Sequence, residues 1–262
     1  AAAVAKTGGV HIFVAEDRDA AAYLLNDFYN LLDEKQVYFF PSSYKRSAAY
    51  GAEDAQGVVQ RTTAMNAVRG FTKGYLVVCT YPEALAERVV DAATLQRDTI
   101  AVKLGDKISI AVLEDALADA NFTRVDFVYE PGQYSVRGGI VDVFSYSESK
   151  PYRIDFFGDE VDSIRRFNIS SQLSADKLDR VEIVPNLNAG EAPRVSFVQF
   201  AGSSATCWFY DADYVLRRVN DLRRKVLADM EEPGQIDRLL TSRNVLLRDM
   251  AGNSVVALRD NL

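Results

Sequence analysis

The first part of the chain alternates short apolar runs with amphipathic stretches. Between the first two runs, apolar side chains recur at helical spacing from Asp17 to Leu32, which predicts a helix capped by Asp17 or Asp19. Strand followed by helix is the order of a parallel sheet with right-handed crossovers. Residues 1–98 are therefore predicted to form the first part of an α/β domain. The runs that predict its buried strands are His11–Ala15, Val37–Phe40 and Tyr75–Thr80.

The pattern changes at residue 99. One helix is predicted from Ile110 to Ala120, and the chain from there to Val184 is mostly strand and hairpin. Asn168–Asp179 is predicted to be a polar connector. Residues 99–184 are therefore predicted to form a small α+β domain inserted into the first one. Thr123–Tyr129 predicts a strand whose one face carries Val125, Phe127 and Tyr129.

Residues 185–262 are predicted to be the second part of the α/β domain. Val195–Phe200 and Ala205–Tyr210 both resemble core strands that rejoin its sheet. A long amphipathic helix follows Asp211 or Asp213 and carries four arginines opposite its apolar stripe. That basic side is either a nucleic-acid contact or a solvated face. The abrupt ending suggests a fragment of a longer protein.

Charge and composition limit the classes of function. The net charge of −7 disfavours indiscriminate nucleic-acid binding, because phosphate contacts need accumulated lysine and arginine. No apolar run approaches the roughly 20 residues that span a bilayer, so a cytoplasmic, non-membrane protein is predicted. Cys79 and Cys207 lie far apart in apolar runs, which predicts buried free thiols.

The sequence contains few residues that are candidates for catalysis. Lys6-Thr7-Gly8-Gly9 inverts the Gly-Lys-Thr order of a phosphate-binding loop. His11 is the only histidine and is predicted to be structural. The acidic residues near Asp155 permit a metal or paired-acid site, but nearby arginines favour ion pairs on the surface. We therefore predict no catalytic residue, metal or cofactor in this chain.

The loop Ser42–Gln56 has two interpretations. Tyr44 and Tyr50 lie close to Lys45 and Arg46, an arrangement that suits base stacking. The alternative is a surface loop whose tyrosines cover the edge of the sheet.

The stretch from Glu130 to Phe167 is predicted to form hairpins. Ile140–Phe144 is an apolar run broken only by Asp142, as in a buried strand. In the next strand, Arg153, Asp155 and Phe157 share one face, opposite an apolar set. A phenylalanine on a charged face is typical of a partner-binding surface.

These hairpins resemble UvrB and the bacterial transcription-repair coupling factors. The resemblance covers most of the chain, is strongest from Phe122 to Pro185 and is weak beyond Asn188. The missing phosphate loop favours the coupling factors, whose UvrB-like module lacks it. The residues that carry the resemblance are Gly132-x-Tyr134-x-x-Arg137-Gly138, Ile140–Phe144, Tyr152–Glu160 and Ser163–Phe167.

The resemblance implies a fold and a role. The fold is a degenerate, helicase-like parallel sheet domain without its phosphate loop, with a smaller α+β domain inserted. That inserted domain would bind UvrA through Arg137, Arg153 and Phe157, and recruit it to RNA polymerase stalled at DNA damage. The parent protein would also bind RNA polymerase and double-stranded DNA, and its motor domains, absent here, would use ATP and Mg.

Other interpretations remain at this stage. The two arginines could serve structure alone, with Arg137 bonding the Gly138-Gly139 turn and Arg153 pairing with Asp155 or with neighbours of Asp142. The chain could be a piece of a UvrB-type damage-verification helicase, or a separate nucleic-acid-binding domain.

Overall fold

The computed structural model describes residues 1–44, 54–188, 191–230 and 232–258. Lys45, Arg46 and Tyr50, for which base stacking was one interpretation, lie outside the described part. The strands are β1 (Gly9–Val14), β2 (Val37–Phe39), β3 (Tyr75–Thr80), β4 (Val89–Val90), β5 (Ile100–Lys103), β6 (Thr123–Arg124), β7 (Gln133–Arg137), β8 (Ile140–Val143), β9 (Tyr152–Phe157), β10 (Glu160–Phe167), β11 (Ser174–Leu178), β12 (Arg180–Ile183), β13 (Arg194–Val195), β14 (Thr206–Phe209) and β15 (Ser254–Ala257). The helices are α1 (Ala2–Thr7), α2 (Arg18–Leu31), α3 (Ala55–Arg69), α4 (Pro82–Ala86), α5 (Ala92–Asp98), α6 (Ile110–Asp119), α7 (Phe197–Ala201), α8 (Ala212–Asp229), α9 (Ile236–Leu239) and α10 (Arg243–Met250), with 3-10 turns at Glu34–Gln36 and Pro233–Gln235.

Contacts between residues divide the chain into two compact units. The first unit consists of Ala1–Ala92 and Glu191–Leu262, and the second unit of Ala93–Gly190. The predicted boundaries of the inserted domain, residues 99–184, stay a prediction.

The first unit contains a five-stranded parallel sheet in the order β15-β14-β1-β3-β2. This confirms the α/β class and the predicted strands at β1, β2, β3 and β14. Cys79 and Cys207 are both free and buried in it, and burial raises the pKa of the Cys207 thiol to about 12. Asp17 accepts a hydrogen bond from the Ala20 amide at 2.8 Å and Asp211 one from Tyr214, so both predicted caps exist.

The predicted core strand at Val195–Phe200 is wrong. Only Arg194–Val195 is extended, pairing with β4, and Phe197–Ala201 forms helix α7. The Ser196 hydroxyl accepts a hydrogen bond from the Gln199 amide at 3.0 Å and begins that helix. In a short run of apolar residues, the spacing of apolar and polar positions does not show whether the run is a strand or a buried helical turn.

The second unit is built on a six-stranded sheet in the order β11-β10-β9-β8-β7-β6. Its pairs are antiparallel except β6 with β7. One sheet face packs its apolar side chains with Leu113 and Leu117 of α6 in a common core. β5 and β12 pair as a separate two-stranded sheet, and Val102, Val181 and Ile183 from it join the same core. The predicted α+β character is therefore present within this unit.

Two predictions in the second unit are wrong. Asn168–Asp179 contains the strand β11, antiparallel to β10, although four of its five residues are exposed and polar or small. An edge strand of this kind is held by its backbone ladder, so it needs no apolar alternation. Thr123–Tyr129 is a strand only at β6, and beyond it Val128 is buried while Phe127 and Tyr129 are exposed.

His11 lies between β14 and the turn that follows α1. Its Nδ1 accepts a hydrogen bond from the Trp208 indole at 3.1 Å, and its Nε2 donates one to the Gly8 carbonyl at 2.9 Å. Since an indole nitrogen only donates, this arrangement requires the neutral imidazole. Burial lowers the pKa of His11 below its usual 6.5, and the bond to Gly8 opposes that shift only in part.

We predict a pH dependence from this group. As the pH falls below about 6.5, the unfolded chain binds a proton at His11 that the folded chain does not. The free energy of unfolding should therefore decrease from pH 6.5 down to the lowered folded pKa, and His11→Gln should lessen that slope. Because His11 is the only histidine, NMR titration of a single imidazole tests the shift. A pKa at or above 6.5 in the folded chain would contradict the prediction.

Candidate functional site

The sheet face opposite the core of the second unit carries the candidate site, and we call it the outward face. Backbone register places its side chains in rows across the strands. The first row is Ser135, Asp142, Arg153, Arg165 and Lys177, the second is Arg137, Ile140, Asp155 and Ser163, and the third is Phe157 opposite Glu160. The first and second rows together contain four cationic and two anionic side chains, although the net charge of the chain is −7.

Asp142 is the centre of the outward face. Its side chain is only 2% exposed. One carboxylate oxygen accepts hydrogen bonds from Arg137 at 2.5 Å and from Arg153 at 2.8 Å, and the other accepts one from Arg153 Nε at 2.7 Å. Two predicted site arginines are therefore held by a single buried carboxylate, which the fork geometry of arginine suits.

Arg153 is enclosed by its neighbours. Its guanidinium lies 4.4 Å from the ring centre of the buried Phe167, and it donates a third contact to Gln172 at 3.2 Å. The hydrogen bonds to Asp142 raise the pKa of Arg153 above its usual value. With 15% of its side chain exposed, Arg153 offers little surface to a partner.

Arg137 is more accessible, with 36% of its side chain exposed. Besides Asp142 it reaches the carbonyl of Asp126 at 3.3 Å, and its guanidinium lies 4.8 Å from the ring centre of Phe127. The two arginines donate side-chain hydrogen bonds to Asp142, to the Asp126 carbonyl and to Gln172, and Asp155 adds only a charge attraction to Arg153. The alternative structural roles considered from sequence therefore differ in detail from the observed pairing.

Phe157 stands at the end of β9, on the outward face, and is 84% exposed. Gly158 follows it with φ of 62°, a left-handed conformation that glycine adopts without strain, and the two-residue turn leads directly into β10. At this end of β9 the ring has Glu160 of β10 opposite it and lies largely in solvent. Arg153 and Phe157 therefore share one face, as the alternation predicted, and the strand register places Arg137 on the same face. The contact of these three residues with UvrA stays a prediction.

The acidic residues of this hairpin are accounted for in part by ion pairs. Asp155 accepts hydrogen bonds from Ser163 at 2.5 Å and from Arg165. Among the described residues, no group of three or more histidine, cysteine, aspartate or glutamate side chains is arranged to hold a metal ion.

The first unit contains a buried polar network that the sequence did not indicate. Arg61 is almost fully buried in α3 and donates to the carbonyls of Pro41 and Ala84, both at 3.0 Å, and of Glu87 at 2.8 Å. Its guanidinium lies 3.6 Å from the Glu87 carboxylate, which also accepts from the Ser43 hydroxyl and amide at 2.7 and 3.0 Å. No local pattern distinguishes this arginine from a surface one. The network holds β2 and its following residues against α3 and α4.

The arginines of α8 are largely engaged within the first unit. Arg218 pairs with Glu83 at 2.6 Å, and Arg224 with Asp221 at 2.5 Å. Arg223 donates to the Leu240 carbonyl at 2.8 Å and pairs with Asp237 at 2.5 Å. These contacts favour the solvated, charge-compensated interpretation of the helix.

Comparison with known proteins places this site within a class. Residues 100–188 match the family model of the UvrB interaction domain, and this range contains the whole outward face. The class to which the second unit is similar is thus that of UvrB-like interaction domains.

Parts of the chain are similar to transcription-repair-coupling factors. The one from Haemophilus influenzae is 35% identical over 101 residues, which is 38% of this chain and 9% of that protein. The one from Bacillus subtilis is 28% identical over 166 residues, 63% of this chain and 14% of that protein. The one from Escherichia coli is 34% identical over 113 residues, 43% of this chain and 10% of that protein.

These matches confirm the resemblance recognised from the hairpins: the chain is similar to a UvrB-homology module of transcription-repair coupling factors. The matched segments cover only 9 to 14% of those relatives. In the described part of the chain, none of the helices has the length and apolarity to cross a membrane.

Proposed function

We propose that this chain recruits the repair protein UvrA, and that in its parent protein it does so at RNA polymerase stalled on damaged DNA. The observation that carries the proposal is the outward face, which an exposed phenylalanine shares with two arginines held by a buried carboxylate. Aromatic side chains, phenylalanine among them, and arginine are enriched at protein interfaces. The match to the UvrB interaction domain over residues 100–188 supports the same role.

We assign different parts to the three residues. Phe157 and Arg137 are accessible and would contact UvrA directly, the ring as an apolar anchor and the guanidinium as a donor to carboxylates. Arg153, enclosed between Phe167 and Asp142, would act mainly by keeping the neighbouring side chains of the outward face in position. Arginines that are already oriented lose little conformational entropy when a partner binds.

Substitution of Phe157 tests this assignment. Because its ring is largely in water, Phe157→Ala should change the free energy of unfolding by less than about 0.5 kcal/mol. Loss of an anchor should weaken UvrA binding by about 1–3 kcal/mol, measured by calorimetry on the full chain. Tyr23→Ala is a matched control, since Tyr23 is an aromatic residue of the first unit with 76% exposure. Equal affinity of Phe157→Ala and the parent chain would remove Phe157 from the interface.

We further propose that the first unit is a degenerate helicase-like domain and that this chain does not hydrolyse ATP. Asp17 caps α2 after β1, so the helix N-terminus that would receive a phosphate is met by a carboxylate. Lys6 and Thr7 belong to α1, where the Thr7 hydroxyl donates to the Ala3 carbonyl at 2.9 Å. ATP, Mg and double-stranded DNA would then be used by motor domains elsewhere in the parent. ATP turnover by this chain alone would contradict the proposal.

A further inference from the structure

The segment Val125–Glu130 follows β6 along the border of the sheet, and we call it the edge segment. Its backbone is held at both ends. The Val125 amide donates to the Tyr134 carbonyl at 2.9 Å, and the Gln133 side chain accepts from the amides of Tyr129 and Glu130 at 2.9 and 3.2 Å. The segment therefore has a defined conformation, although it is not part of the strand ladder.

This conformation turns two aromatic rings toward solvent. Val128 is 2% exposed, whereas Phe127 is 51% and Tyr129 64% exposed. With Phe157, and taking about 200 Å² for a whole aromatic side chain, the three residues expose on the order of 400 Å². The largest apolar patch on a typical monomer is about 300–600 Å² and is often functional.

Arg137 joins the edge segment to the outward face. Its guanidinium is in contact with the Phe127 ring and the Asp126 carbonyl on one side, and with Asp142 on the other. In register, Arg137 is two strands from Asp155, and Phe157 is two residues further along β9. With strands about 4.8 Å apart and about 3.4 Å per residue, the α-carbons of Arg137 and Phe157 lie roughly 12 Å apart. A partner burying about 800 Å² covers both.

Charge is distributed unevenly along this stretch. Glu160 lies opposite Phe157, whereas the rows toward Arg137 carry an excess of cations. An acidic group of a partner is therefore better accommodated near Arg137 than beside Phe157.

We propose that UvrA contacts this chain through two apolar anchors, Phe157 and the pair Phe127 and Tyr129, and places an acidic group over Arg137 between them. The inference rests on the proposed function, because it takes UvrA as the partner. It adds a second anchor, Phe127 and Tyr129, in a segment that the sequence pattern predicted to be a strand.

The test uses the full chain and purified UvrA. Phe127→Ala and Tyr129→Ala should each weaken binding at least fivefold, with thermal unfolding unchanged, while Tyr23→Ala binds as the parent does. Hydrogen exchange should show new protection of the edge segment in the complex. In an Arg137→Ala background, Phe127→Ala should still weaken binding, because the ring itself makes the contact.

Four outcomes overturn the inference in distinguishable ways. If the parent binds and Phe157→Ala weakens it while Phe127→Ala and Tyr129→Ala do not, the second anchor is absent and the proposed function stands. If the effect of Phe127→Ala vanishes in the Arg137→Ala background, Phe127 only holds Arg137. If the chain without substitutions does not bind UvrA, the proposed function fails and the inference with it. If these variants instead lose binding to single-stranded DNA alone, the rings serve base stacking.

Discussion

Arg61→Ala should lower the free energy of unfolding of the first unit by about 3–5 kcal/mol, the largest effect that we expect from a single substitution in this chain. The substitution removes the donor from the carbonyls of Pro41, Ala84 and Glu87. It also leaves the Glu87 carboxylate buried without the cation that lies 3.6 Å away. A buried charge that loses its partner costs more than the pair contributes when both are present.

Trp208 provides the measurement, because it is the only tryptophan and belongs to β14 of the first unit. Its fluorescence during urea unfolding should show a midpoint at markedly lower urea for Arg61→Ala. Arg224→Ala is the control, since Arg224 pairs with Asp221 on the surface of α8 and should change stability by less than about 0.5 kcal/mol. A loss below about 1 kcal/mol for Arg61→Ala would mean that water or other groups satisfy the network without the arginine.

Elements with a strong local signal were predictable from sequence. β1, β3 and β14 are short apolar runs that end at polar residues, and a buried parallel strand has that composition. The caps of α2 and α8 were predictable for a similar reason, because an aspartate directly before an amphipathic stretch satisfies amides within the same turn.

Two missed elements are held by hydrogen bonds that a pattern of apolar residues does not indicate. β11 is polar, and its place in the sheet comes from its ladder with β10. The edge segment has the alternation of a strand, yet Gln133 holds its amides and Val128 takes the buried position. In both cases hydrogen bonds to the backbone, and not the pattern of apolar residues, decide the conformation.

The side chains of β9 that lie on the outward face were predictable from sequence, but the role of Asp142 at the centre of that face was not. Alternation along β9 separates Arg153, Asp155 and Phe157 from the core, and the structure has that arrangement. Asp142 appeared from sequence only as the polar interruption of an apolar run. That its carboxylate would hold both Arg137 and Arg153 depends on the pairing of three strands, which no single stretch encodes.

Asp142→Asn should therefore affect both stability and recruitment. The amide keeps the size of the carboxylate but not its charge, so the guanidinium groups of Arg137 and Arg153 lose their common anion. Since Arg153 is mostly enclosed and Arg137 only partly, we expect a loss of about 2–4 kcal/mol, somewhat below that for a wholly buried pair. UvrA binding should weaken at least tenfold under conditions where the variant stays folded, because the arginines are no longer held in place.

Asp155→Asn is the matched control, since it makes the same chemical change on the same face. Asp155 is partly exposed and binds Arg165 and Ser163, so its substitution should cost about 1 kcal/mol and leave Arg153 in place. Hydrogen exchange of the β8 and β9 amides measures the stability of the second unit in both variants. The Arg153 Nε proton, bonded to Asp142 in the parent chain, should shift in NMR spectra of Asp142→Asn and keep its position in Asp155→Asn. If Asp142→Asn shifts that proton yet binds UvrA as the parent does, the two arginines are held for the stability of the sheet, and recruitment depends on the aromatic anchors alone.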